Sequence, residues 1–178
     1  MSKGGPFGIV MGAKLEDMDF DLESISPFLY RTSVPPNPHS LFEEYILKIT
    51  PYHGVSWVKA IGKTIHTSAY GSELRSAFDS LLERLAGTYG KYNLFDFLLE
   101  DSIWNEPRDW MQSLLSNERR LCAFWNIESG ANLSSSLAVV FLGIMPLDSD
   151  TGCLIIEYAF ENDEMAIKEI QAMEDEAL

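Results

Sequence analysis

Five carboxylates, Asp96, Glu100, Asp101, Glu106 and Asp109, fall within fourteen residues of one another. Aromatic side chains are interleaved with them: Tyr92, Phe95, Phe97, Trp104 and Trp110. Paired acids perform general acid/base work when their surroundings split their pKa values. The same residue types also make an ordinary solvated acidic surface. A third reading is a face for a basic partner, on which acids steer the encounter and aromatics act as desolvated anchors. Nothing in the spacing marks out an acid/base pair, so catalysis ranks last of the three. Asp96, Glu100, Asp101, Trp104, Glu106 and Asp109 are therefore the candidate partner-binding residues. Tyr92, Phe95 and Trp110 stand beside them as further anchors, with core packing as the competing role for every aromatic in the segment.

Other chemistry-bearing residues lack the company that their chemistry needs. Gly62-Lys63-Thr64 has the tail of a phosphate-binding loop, but such a loop needs a glycine five residues earlier, where this chain has Trp57. Gly4-Gly5-Pro6-Phe7-Gly8 is glycine-rich but follows no strand. His39, His53 and His66 have no second ligand at helical or knuckle spacing, and a zinc site needs three or four converging ligands. Cys122 and Cys153 sit in apolar strands without the electropositive setting of a reactive thiol. The nucleophile elbow of serine hydrolases is absent. The expectation is a protein that is not an enzyme, with no catalytic residue, no metal site and no cofactor.

The elements that must position these residues follow from periodicity. Phe7–Met11 reads as a short strand, and Lys14–Leu22 as a short helix with Leu15, Met18 and Leu22 on one face. Ser33-Val-Pro-Pro-Asn-Pro-His-Ser40 is forced into an extended or turning path by its prolines. Leu41–Thr50 and Val55–Ile61 form a hairpin about the turn Pro51-Tyr-His-Gly54. The clearest helix is Gly71–Tyr89, whose Leu74, Ala77, Phe78, Leu81, Leu82, Leu85 and Tyr89 recur at three and four. Asn93–Trp104 mixes aromatics and acids and carries no single period. Asn105-Glu106-Pro107 reads as a helix start, capped by Asn105, with Trp110, Met111, Leu114 and Leu115 on its apolar face. Strands at Arg120–Ile127, Leu137–Met145 and Cys153–Phe160 follow. A last helix at Asp163–Glu176 turns Ala166, Ile167, Ile170 and Met173 inward.

Strands thus come in runs, not singly between helices. That order predicts an α+β fold: a single domain over residues 1–178, with an antiparallel sheet of about five strands and helices packed mainly on one face. Residues 1–40 make an acidic N-terminal leader and a proline-rich connection to the rest.

Composition bounds the partners. The chain has 178 residues, 46% of them hydrophobic, which suits an ordinary folded domain. Lys and Arg number 13 and Asp and Glu 27, a formal charge of −14. Such a charge repels phosphate, so neither nucleic acid nor an anionic membrane is expected as the main partner. Two cysteines make no disulfide framework and point to a reducing, cytoplasmic setting. The opening to Ala13 is broken by glycines and Pro6 and followed at once by acids, unlike a cleaved signal. No apolar run is long enough to span a membrane.

The opening Phe7-Gly8-Ile-Val-Met-Gly12-Ala-Lys-Leu15-Glu16-Asp17-Met18 resembles the start of many small bacterial immunity proteins. Leu41–Thr67, Tyr70-Gly-Ser-Glu-Leu74, Ser102-Ile-Trp-Asn-Glu-Pro-Arg-Asp-Trp110 and the closing Glu-Asp-Glu-Ala-Leu178 are similar to proteins of contact-dependent growth inhibition and related polymorphic toxin loci. The resemblance implies a compact α+β inhibitor in the cytoplasm. It would bind and occlude a cognate basic toxin domain, such as a nuclease, and carry no catalytic residues of its own. Its oligomeric state is left open. Contact residues vary within such proteins, so the resemblance assigns none. The alternative is another acidic binding module, either an effector chaperone or a nucleic-acid mimic; a mimic needs charge spaced regularly along its surface, whereas here acids cluster.

Overall fold

A computed structural model describes residues 4–134 and 136–178, so the first three residues of the opening and Ser135 lie outside it. The elements are β1 (Glu23–Ser26), β2 (Leu29–Thr32), β3 (Phe42–Thr50), β4 (Gly54–Gly62), β5 (Ile65–His66), α1 (Ser72–Tyr89), β6 (Asn93–Leu98), α2 (Trp110–Leu115), β7 (Arg119–Trp125), β8 (Leu137–Asp148), β9 (Thr151–Phe160) and α3 (Asp163–Asp175). The fold is α+β. Hydrogen-bonded neighbours run β1-β2-β3-β4-β9-β8-β7-β6, with β5 also on β9. The β1–β2, β2–β3, β5–β9, β6–β7 and β7–β8 registers are antiparallel.

The sheet has nine strands, not about five. Three of the additional strands are β1, β2 and β6, none of which shows a buried-and-exposed alternation: β1 is exposed throughout and β6 nearly so. A strand without one buried face leaves no period-two signal in its sequence. The described residues form three α-helices, which are not clearly on one face. Contacts divide the chain into two compact units, the first made of residues 1–60, 134–139 and 157–178 and the second of residues 61–133 and 140–156. α3 belongs to the first unit, α1 and α2 to the second.

In the first unit the hairpin β3–β4 carries the core. Tyr45, Leu47, Val55, Val58 and Ala60 are almost fully buried. The N-terminal segment lies against it without forming the expected strand: Pro6–Gly8 is a 3₁₀ turn, with Phe7 at φ 57° and Gly8 at φ 77°. Phe7 then packs edge-on against Phe42, Tyr45 and Tyr158, with ring centroids 4.8–5.8 Å apart. Gly12 N donates to Val55 O and Val55 N to Ala13 O, 2.8 and 2.9 Å. This approach requires glycine at position 54, since a Cβ there would lie 2.3 Å from Gly12 O. The expected helix at Lys14–Leu22 shrinks to a 3₁₀ turn, Leu15–Asp17, with Leu15 exposed. Two turns with no buried apolar face cannot offset the cost of helix nucleation.

α3 is held to the hairpin by polar contacts. Asp163 Oδ1 accepts from Lys48 Nζ (2.9 Å) and Ser56 Oγ (2.7 Å), and Asn162 Nδ2 donates to His53 O and Val55 O, both 3.0 Å. Glu169 accepts from Tyr52 N (2.7 Å) and His53 N (3.2 Å), and its Oε2 lies 2.7 Å from His53 Nδ1. Ala166 is buried, but Ile167 and Met173, expected to face inward, are exposed. The helix is fixed by its acids more than by an apolar stripe.

In the second unit α1 has the expected face: Leu74, Phe78, Leu81, Leu82 and Leu85 are buried. Leu74 rests on β9 where Gly152 leaves room; a Cβ at 152 would lie 2.6 Å from Leu74 Cδ2. The second helix starts later than expected. A 3₁₀ turn, Pro107–Asp109, precedes α2, and the cap is Glu106, whose amide donates to Asp109 Oδ2 at 3.2 Å, and not Asn105.

Two stability outcomes follow. Leu81→Ala is expected to cost roughly 2–5 kcal/mol in urea unfolding, as a core truncation; a loss below about 1 kcal/mol would place the helix wrongly. Burial pushes the Glu169 carboxyl up, but bonds from Thr50, the His53 ring and the Tyr52 and His53 amides outweigh it and hold the group below the usual range. A depressed carboxylate adds stability above its unfolded pKa and loses it as the pH falls through the folded one. Glu169→Gln is therefore expected to cost about 1–3 kcal/mol at neutral pH. The difference from wild type should close below the unfolded glutamate value of about 4.3. Urea unfolding of both chains across that range checks this, and a gap that persists at low pH counts against it.

Candidate functional site

The candidate segment begins as the end of a ladder. β6 pairs antiparallel with β7, with Phe95 opposite Cys122, Asp96 opposite Leu121 and Phe97 opposite Arg120. It is the last strand in the order. Alternation places Phe95 and Phe97 on one face and Leu94, Asp96 and Leu98 on the other. Opposed residues share a face, so Phe95 and Phe97 lie with Cys122, Phe124 and Phe141. The rings form a row: Phe95 meets Phe124 edge-on at 5.8 Å, and Phe124 meets Phe141 at 4.9 Å. Gly143 makes space for the last ring, since a Cβ there would come 2.6 Å from Phe141 Cζ. The opposite face of β7 and β8 is core, with Ala123, Trp125, Val140 and Leu142 fully buried.

This aromatic face is open. Phe95 and Phe97 are 44% and 45% exposed, and on the other face of β6 Leu94 is exposed as well. Beside Phe97 lies a shallow cavity of about 430 Å³, lined in part by Leu99, Arg120, Cys122, Phe141 and Pro146. Cys122 is buried, and burial pushes its thiol up, with Arg120 opposing, which disfavours the thiolate.

The acids divide into free and engaged. Asp96 is 47% exposed, and its Oδ1 lies 3.8 Å from Arg119 Nη1. Arg119 is mostly buried and spends its Nε on Ser113 Oγ at 2.9 Å. Glu100 and Asp101 are exposed just beyond the strand. Glu106 is exposed and ion-paired with Arg108 at 2.8 Å. Asp109 is half-buried and serves as the capping acceptor for Glu106 N. Trp104 is half-buried, its amide donating to Ser102 Oγ at 3.1 Å. Ser102 Oγ in turn donates to Glu118 Oε2 and ties the loop to the start of β7.

Trp110 does not belong to this surface. It is 4% exposed, lies against the backbone of Gly71 and receives the Arg75 guanidinium at 5.3 Å. Gly71, at φ 66°, is the only kind of residue that fits, since a Cβ would meet the indole at 2.1 Å. Tyr92 leans on Trp125 at 5.3 Å and is only partly open. The structure thus leaves Asp96 exposed on the face of β6 opposite Phe95 and Phe97, with Glu100 and Asp101 exposed just past the strand end, and moves Asp109 and Trp110 into structural work. Phe124 and Phe141 were not in the sequence-derived set. Phe124 shares its phase of β7 with Arg120 and Cys122, whereas Phe141 falls in an apolar phase of β8, so the sequence offers no local signal that sets it on this face.

What this arrangement can do is bind. It offers a hydrogen-bonding strand edge, a desolvatable aromatic face and solvent-facing carboxylates. Among the described residues no three His, Cys, Asp or Glu side chains converge as metal ligands, and no helix is long and apolar enough to cross a membrane. The chain matches no family model, no curated protein and no solved structure.

The division between core and surface aromatics is testable. Trp110→Ala is expected to cost about 3–5 kcal/mol, and Phe97→Ala to stay within about 1 kcal/mol of wild type. Urea unfolding of the two variants checks it; equal losses would put Phe97 in the core.

Proposed function

We propose that this chain is a cytoplasmic immunity protein that binds a cognate basic toxin domain and neutralises it by occlusion. The observation that carries the reading is the β6 margin, where exposed Phe95 and Phe97 adjoin exposed Asp96, Glu100 and Asp101 on a chain of charge −14. Nuclease toxins present basic clefts shaped for phosphate. An acidic surface is drawn to such a cleft by long-range attraction and blocks it without chemistry of its own. At physiological salt, where the Debye length is about 8 Å, attraction alone is screened. Lasting affinity needs desolvated contacts, and the exposed phenylalanines supply them.

The test is co-expression with basic toxin domains of the nuclease class, any encoded by a neighbouring gene first, scored as growth, followed by stopped-flow association of the purified pair. Wild type is expected to restore growth. Glu100→Lys with Asp101→Lys is expected to slow association by about tenfold at low salt and to flatten its salt dependence. A chain that gives no protection overturns the reading. An unchanged association rate in the double variant removes this margin as the contact.

A further inference from the structure

The free side of β6 has a specific hydrogen-bonding pattern. Leu99 N donates to Glu118 O at 2.8 Å, in register with the β6–β7 ladder. Antiparallel pairs alternate between bonded and non-bonded, so Phe97, Phe95 and Asn93 also bond toward β7. The amides and carbonyls of Leu94, Asp96 and Leu98 then point away from it. No strand lies beyond β6 in the order, and among the described residues no turn or loop bonds to these six groups. They form a template for one more strand.

Charge decides what the template accepts. Leu94-Phe95-Asp96-Phe97-Leu98 reads the same in both directions. A second copy pairing about its centre would set Leu94 against Leu98 and, unavoidably, Asp96 against Asp96. Like charges directly opposed destabilise a strand pair, and two chains of −14 repel at long range. Asp96 is half-exposed, and its ion-pair partner among the described residues, Arg119, sits 3.8 Å away and is already bonded to Ser113. Asp96 therefore retains an open side for a cation arriving from beyond the edge.

We propose that β6 is a strand-addition site for an extended segment of a basic protein. The added strand places a Lys or Arg opposite Asp96 and apolar residues one position to either side, where they rest on the Phe95 and Phe97 rings. Glu100 and Asp101, just past the strand end, take further cations of the same segment. The inference rests on the reading of the chain as a binder of a basic protein and specifies how that partner is held.

The probes are two fluorescein-labelled synthetic peptides that repeat Leu94–Leu98 between flanking threonines, one with lysine and one with aspartate at the centre. By fluorescence anisotropy the lysine peptide is expected to bind at least tenfold more tightly. In amide hydrogen exchange followed by NMR it is expected to protect Leu94, Asp96 and Leu98 while leaving Phe95 and Phe97, already bonded to β7, unchanged. Asp96→Lys should invert the preference between the two peptides. Equal affinities, absence of binding, or protection away from β6 overturns the proposal, and the exchange experiment on the wild-type chain decides it even where the variant fails to fold. No toxin takes part in this assay. Failure here with growth protection intact removes strand addition and leaves the immunity reading in place. Peptide binding without growth protection supports the added strand and removes the toxin as its occupant.

Discussion

A ladder of backbone hydrogen bonds has to end, and each end leaves a row of donors and acceptors that water or another chain must satisfy. In this sheet the ends are β1 and β6. They are built differently. β1 has four residues, its register shifts between Ser24 and Ser26, and Glu23 is clamped by Arg31 at 2.6 Å. Shortness, irregularity and charge are the ordinary means of closing an edge. β6 is regular over six residues and is apolar or aromatic at four of them, with Asp96 as its one charge. β1 carries all three features, whereas β6 is regular and has a single charge.

The aromatic row depends on β6. Phe124 and Phe141 stand on β7 and β8, opposite each other across the ladder, and Phe95 extends the row to the margin. A face of this kind is normally covered, since contiguous exposed apolar surface on a soluble chain marks an interaction site. Its other side is the core, with Trp125 wedged between β7 and the end of α1, where its Nε1 donates to Gly90 O at 3.2 Å. The outer face is thus carried by a rigid support.

Negative charge serves two purposes. Some acids hold the fold together: Asp163 and Glu169 bind α3 to the β3–β4 hairpin, Asp109 caps the turn before α2, and Glu157 pairs with Lys59 at 3.5 Å. Others, such as Glu100 and Asp101, face solvent and contribute to the external field. The formal charge of −14 counts both kinds alike, although acids paired with a nearby cation add less to the external field.

By itself the sequence determined the elements whose period is enforced by burial. The Leu74–Leu85 stripe of α1, the β3–β4 hairpin about Pro51–His53, and β7, β8 and β9 all bury one face, and a buried face must repeat at the period of its backbone. It also determined the acidic, aromatic character of the Asp96–Asp109 segment. Tertiary structure decided the rest. Whether Trp110 is an anchor or a core residue depended on Gly71, thirty-nine positions away in the chain, whose lack of a Cβ leaves room for the indole. Whether Asn93–Leu98 was a strand depended on β7, because an edge strand open on both faces has no burial of its own to pattern it. Which acids stay free depended on long-range partners such as Lys48 for Asp163 and His53 for Glu169, each more than one hundred residues apart. Local sequence records what a residue prefers, and only the folded chain sets what it meets.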